Sequence, residues 1–184
     1  MPIVPDAKNW TWVLERSCPE CGFDASRLPK EQVAPLTRRT AQAWAVVLGG
    51  PPDALRRRPT DDVWSPLEYA CHVRDVFVLY DERLELMLDR DGPTFANWDQ
   101  DATAVADAYN DQDPLVVARV LAAAGTRLAD RLDGVAGPNW DRTGHRGDGV
   151  SFTVDTFVRY MIHDPVHHLH DVGTAPATVT EGLV

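Results

Sequence analysis

The chain has 184 residues and a formal net charge of −10, with 18 Lys+Arg against 28 Asp+Glu. A composition of 44% hydrophobic and 25% charged residues fits one soluble globular domain with a sizeable core. It excludes disordered, collagen-like and disulfide-scaffold classes, and the acid excess disfavours nucleic acid and membrane surfaces, which call for a cationic face.

Residues 1–29 read as an irregular N-terminal extension. They hold Pro2, Pro5, Pro19 and Pro29, the aromatic pair Trp10 and Trp12, and Cys18-Pro19-Glu20-Cys21-Gly22. From Lys30 to Leu48, the positions Val33, Leu36, Ala43, Trp44 and Val47 predict a helix whose regular part follows Pro35 and which stops at Gly49-Gly50-Pro51-Pro52. Arg56, Arg57 and Arg58 beside Pro59 read as a solvated loop. Ser65, Pro66 and Glu68 form a capping-box start for a second helix reaching about Arg90 before Asp91-Gly92-Pro93. A short helix is predicted around Ala102–Tyr109. A third long helix begins at Asp113-Pro114, with Leu115, Val117, Val120, Leu121, Leu128 and Leu132 on its face. Gly134–Gly149 reads as a glycine-rich connection, Val150–Phe152 as a short extended piece, and residues from about Thr153 to Val172 as the fourth helix. Four long helices over residues 30–184 predict an all-α, antiparallel four-helix bundle.

Histidine is unevenly spread: four of the six lie between His163 and His170. On a helix, His163 and His167 share a face and can chelate one ion. A catalytic site typically has three protein ligands and an open position. His72, among the apolar positions of the second helix, is the candidate third ligand, with Glu68 or Asp75 able to orient its ring. Pro165 lies inside the proposed chelate. One kinked helix keeps the His163/His167 pair. A new helix starting at Asp164-Pro165 would instead pair His167 with His170 or Asp171. The bland reading is a solvated histidine run.

Cys18 and Cys21 have the form of half a zinc knuckle. Three readings stand side by side: a zinc site completed by His168, His170 or His145, a redox pair, or a plain loop with two thiols. Cys71 reads as a small core residue. With three cysteines, no basic-then-apolar leader and no apolar run of 18 residues, a cytoplasmic, reducing compartment and no membrane span are expected.

Trp64-Ser65-x-x-Glu68-x-x-x-His72-x-x-Asp75 and His163-x-x-x-His167-His168, about 90 residues apart, resemble the metal-site motifs of DinB/YfiT-like four-helix bundles over roughly residues 30–172. The resemblance implies a divalent metal, zinc or nickel foremost, on His72, His163 and His167. It implies a thiol S-transferase using a low-molecular-weight thiol, a small-molecule substrate and a homodimer. The N-terminal extension resembles that of actinobacterial members, which points to mycothiol. Asp75, Asp164 or His168 would assist proton transfer, and Trp64, Trp140 and Tyr160 would line the pocket. The family's Gly-Gln after the histidine pair is here Leu169-His170. The isomerase branch carries its catalytic arginine in a C-terminal domain that these residues do not contain, so maleylpyruvate isomerisation is not expected. A metal-dependent hydrolase on the same site and a non-catalytic binding bundle are the alternatives.

Overall fold

The structure, a computed structural model, describes residues 9–183; Pro2 and Pro5 of the expected irregular segment lie outside them. Four long helices carry the fold: α1 (Val33–Val47), α3 (Pro66–Asp89), α5 (Pro114–Asp133) and α6 (Val154–Asp171). Three short helices connect or follow them: α2 (Pro52–Leu55), α4 (Gln100–Ala106) and α7 (Ala177–Thr180). Around the bundle the packing order is α1, α5, α3, α6 and back to α1, so the successive long helices α1 and α3 are not side by side. Their apolar faces meet in a core that includes fully buried Trp44, Phe77, Leu84, Met87, Leu121, Leu128 and Met161.

The helix starts follow their capping chemistry. Ser65 Oγ accepts from the Glu68 N–H at 3.2 Å, and Glu68 Oε2 accepts from the Ser65 N–H at 2.8 Å. The Asp113 carboxylate accepts from the N–H groups of Leu115 and Val116 ahead of α5, and Thr153 caps α6. Pro35 lies inside α1, not ahead of it. It occupies the first turn, where backbone N–H groups have no intrahelical partner to lose. Pro165 lies deep within α6, yet the helix is continuous across it. The lost bond to the Met161 carbonyl is the cost, while the Pro165 carbonyl accepts from the buried indole N–H of Trp44 at 3.1 Å.

Glu68 also holds the loop before α3. Its carboxylate is buried and accepts from Arg58 Nε at 2.9 Å. Burial would raise its pKa, but Arg58 and the Ser65 N–H outweigh that and hold it below the ordinary value. A depressed carboxylate stabilises the fold above its unfolded pKa of about 4.3, and the contribution is lost as pH falls through the folded value. Arg58→Ala is therefore expected to cost about 1–3 kcal/mol at pH 7, with the gap to the parent narrowing below about pH 4. Thermal melts at both pH values measure this.

The connection between α5 and α6 is more ordered than its glycines suggest. β1 (Thr94–Phe95) pairs parallel with β2 (Thr143–Arg146), which pairs antiparallel with β3 (Ser151–Thr153). Gly144 is needed at the crossing: a Cβ there would stand 2.6 Å from the Phe95 ring and 2.9 Å from Met87 Cγ. Phe95 and Phe152 pack against Phe157 of α6, with ring centroids 5.8 and 5.9 Å apart. The extension is likewise docked. A 3-10 turn at Trp10–Leu14 packs on α6, and Val13, Cys18, Cys21, Phe23, Ala25 and Leu28 are buried.

Candidate metal centre

α6 presents two pairs of ligand-type side chains, each spaced by four residues. Asp164 and His168 lie one residue on from His163 and His167, hence about 100° further around the helix. The two pairs therefore meet different neighbours.

His163 and His167 meet the extension. Cys18 Sγ lies 3.6 Å from His167 Nδ1 and Cys21 Sγ 3.8 Å from His163 Nε2. The four donor atoms lie within 4.8 Å of one another, and all four residues are buried. The knuckle is held by the Cys18 N–H donating to the Phe23 carbonyl at 2.9 Å and the Gly22 N–H to the Cys18 carbonyl at 2.8 Å. Gly22 sits at φ +76°, a conformation glycine adopts without strain. Trp10 packs on both imidazoles, with centroids at 5.4 and 5.1 Å, and Phe23 stacks on His163. Burial, then the neighbouring His167, lowers the His163 pKa to about 4, and burial lowers His167 as well, so both rings are neutral at pH 7. Burial pushes the Cys21 thiol up to about 12.

Asp164 and His168 meet α3. His72 Nε2 lies 3.2 and 3.3 Å from the two Asp164 oxygens, and His168 Nε2 lies 3.7 Å from Asp164 Oδ2. Donor atoms of these three residues lie within 4.8 Å of one another. His168 Nδ1 is 2.7 Å from Asp171 Oδ2, a carboxylate contact that orients the ring with Nε2 toward His72 and Asp164. His72 is fully buried. Trp98 stacks on it at 5.3 Å with 5° between planes, and Trp64 closes the other side at 5.2 Å. Burial would raise the Asp164 carboxyl. The facing His72 and His168 outweigh it and hold the group well below the usual carboxylate range.

The expected trio is thus divided. His163 and His167 stand together but with Cys18 and Cys21, while His72 stands with Asp164 and His168. The rotation of α6 decides this, because it turns the second pair toward α3. Asp75 and Glu68 do not orient His72. Asp75 accepts from Arg74 Nε at 2.7 Å and from the Tyr109 hydroxyl, and Glu68 serves the cap and Arg58. Among the described residues, His72 Nδ1 is buried without a hydrogen-bond partner. His145 bonds Ser151 in the small sheet, His170 is exposed, and Cys71 is the expected core residue. The sequence reading missed the Cys18/Cys21 partnership with His163/His167. The four-residue repeat of both pairs on α6 is the signal that could have raised it.

A cavity of about 870 Å³ opens beside these groups. Asp164 and His168 reach it from α6, as do His163 and His167, Trp64 and Tyr160 line it as expected, and Trp10 and Glu20 of the extension form part of its wall. Trp140 instead packs into the core beneath Lys30. The Arg146 guanidinium donates to the Tyr160 hydroxyl at 3.1 Å.

The His72, Asp164 and His168 donors fit a divalent cation: two imidazoles and a carboxylate converge, and cavity lies on one side. Asp171→Ala is expected to weaken metal binding there about 10–100-fold by freeing the His168 ring. Competition with a chromogenic chelator measures it.

Fold and donor arrangement together define a four-helix bundle with a candidate metal site at the edge of a cavity. A profile of the DinB superfamily matches residues 36–172, and the chain belongs to that superfamily. Among solved structures it is similar to YfiT from Bacillus subtilis, described as a probable metal-dependent hydrolase with an unusual four-helix bundle topology. The identity is 16% and the TM-score 0.70, over 90% of this chain and 91% of that one. It is also similar to a variant of the mycothiol-dependent maleylpyruvate isomerase, at 12% identity and TM-score 0.67, over 84% of this chain and 68% of the other. Comparison with curated proteins gives no significant match. Among the described residues, no helix is long and apolar enough to cross a membrane.

Proposed function

We propose that the chain is a metal-dependent thiol S-transferase, with a divalent ion, zinc or nickel foremost, held by His72, Asp164 and His168. The observation that carries this reading is the convergence of those three donors at the edge of the 870 Å³ cavity, with His168 oriented by Asp171. A cation bound there supplies the positive charge that makes a thiol ionise near neutral pH. The chain's own residues do the rest. Trp98 and Trp64 fix the His72 ring, and Asp171 fixes that of His168. Asp164 would contribute a carboxylate oxygen as ligand, and the thiol proton would pass to water in the open cavity. Burial raises the Tyr160 pKa, so its phenol stays protonated and can donate a hydrogen bond to a substrate in the cavity. The cavity volume is at the upper end for small-molecule sites, which suits a thiol cosubstrate together with a small electrophile. Likeness to a mycothiol-dependent enzyme supports a thiol of the mycothiol type.

The test is adduct formation from mycothiol and an aryl halide by tag-free, zinc- or nickel-loaded protein. Metal-dependent adduct above the uncatalysed rate is expected. Ester hydrolysis without adduct would replace this reading with a hydrolase, and no turnover of either kind would leave a binding protein.

A further inference from the structure

The buried group about 100° around α6 from that site has no role in the chemistry just described. We infer that Cys18, Cys21, His163 and His167 form a closed, tetrahedral structural zinc site that fastens the N-terminal extension to α6. Four protein donors of Cys₂His₂ type complete the coordination of zinc, leaving no open position for substrate. The geometry agrees. Zn–S at about 2.3 Å and Zn–N at about 2.0–2.1 Å place tetrahedral S and N ligands about 3.6 Å apart, and the two S···N distances are 3.6 and 3.8 Å. The donor atoms are already gathered although they come from segments 149 and 142 residues apart. The second ring nitrogen of His167 faces Glu20 at 3.6 Å and Asp171 at 3.7 Å, the carboxylate environment common behind zinc-bound histidine. The Gly22 turn draws both thiols to one side of the knuckle, toward the two imidazoles. A redox-active pair would instead need an accessible thiol, and Cys18 and Cys21 are both buried.

The site has a consequence for the cavity. Trp10 and Glu20, on either side of the knuckle's first cysteine, line it. A zinc at the knuckle therefore holds one cavity wall in place without touching substrate.

This inference is independent of the proposed transferase activity, and its test reads metal alone. The full chain, purified reduced and without a histidine tag, is stripped and titrated with Co²⁺. Two equivalents are expected, one of them giving thiolate-to-cobalt charge-transfer absorption. Cys18→Ser with Cys21→Ser should lose that absorption and one equivalent, while His72→Ala should lose one equivalent and keep the absorption. Because the double variant could fail to fold, a mercurial added to zinc-loaded parent protein gives a second readout: it should release one of two zinc ions. Absence of the thiolate band in the parent, or a Cys18–Cys21 disulfide in protein with its full metal content, would overturn the inference.

Discussion

His72→Ala and His168→Ala are each expected to remove one metal ion per chain and to lower thiol transfer at least about 100-fold, to the level of stripped protein. Outer-shell changes alone typically cost about 10–100-fold, and loss of a ligand should exceed that. His72 is fully buried between Trp64 and Trp98, so its truncation leaves a gap that no neighbouring donor fills. His168 is different. It reaches the cavity, and its loss removes a ligand with little disturbance to the core. Both variants should lose activity alike while His168→Ala melts closer to the parent. Metal analysis and initial rates on the same preparations check this. Full activity in either variant would dismiss the proposed centre.

Cys18→Ser is expected to produce the largest loss of stability. A ligand held only by the folded state contributes about 4 kcal/mol when its free concentration is a thousandfold above Kd. For a chain of this length that corresponds to roughly 8–16 °C in Tm, at about 2–4 °C per kcal/mol. The four-helix core has its own buried contacts, so the loss should begin locally. Hydrogen exchange over residues 10–28 should accelerate before that of α3 or α5. Equal exchange in parent and variant would show that packing of Trp10, Phe23 and Leu28 alone holds the extension.

The long helices were legible because each declares itself locally. Ser65-Pro66-x-Glu68, Asp113-Pro114 and Thr153 are capping signals that act within one turn, and the apolar spacing behind each repeats for several turns. The sheet was not legible beyond Val150–Phe152. Its strands are only two to four residues long, and Phe95 pairs with Arg146, 51 positions further along the sequence.

The candidate donor groups show the same limit. Helical spacing makes His163/His167 and Asp164/His168 equally good chelating pairs. Which pair meets His72 depends on how α6 is rotated against α3, a property of the assembled core. Trp44 pinned to the Pro165 carbonyl, with Phe157, Met161 and Ile162 buried, turns His163 toward the extension and Asp164 toward α3. The Cys18/Cys21 knuckle announced its own shape, but its partners lie more than 140 residues away.

The most direct measurement is anomalous diffraction at the metal absorption edge from crystals of tag-free protein loaded with zinc. Two ions are expected, one with Cys18, Cys21, His163 and His167 as its only ligands, the other on His72, Asp164 and His168 with an open position toward the cavity. A single ion bound by His72, His163 and His167 would contradict the division of α6 into two metal faces.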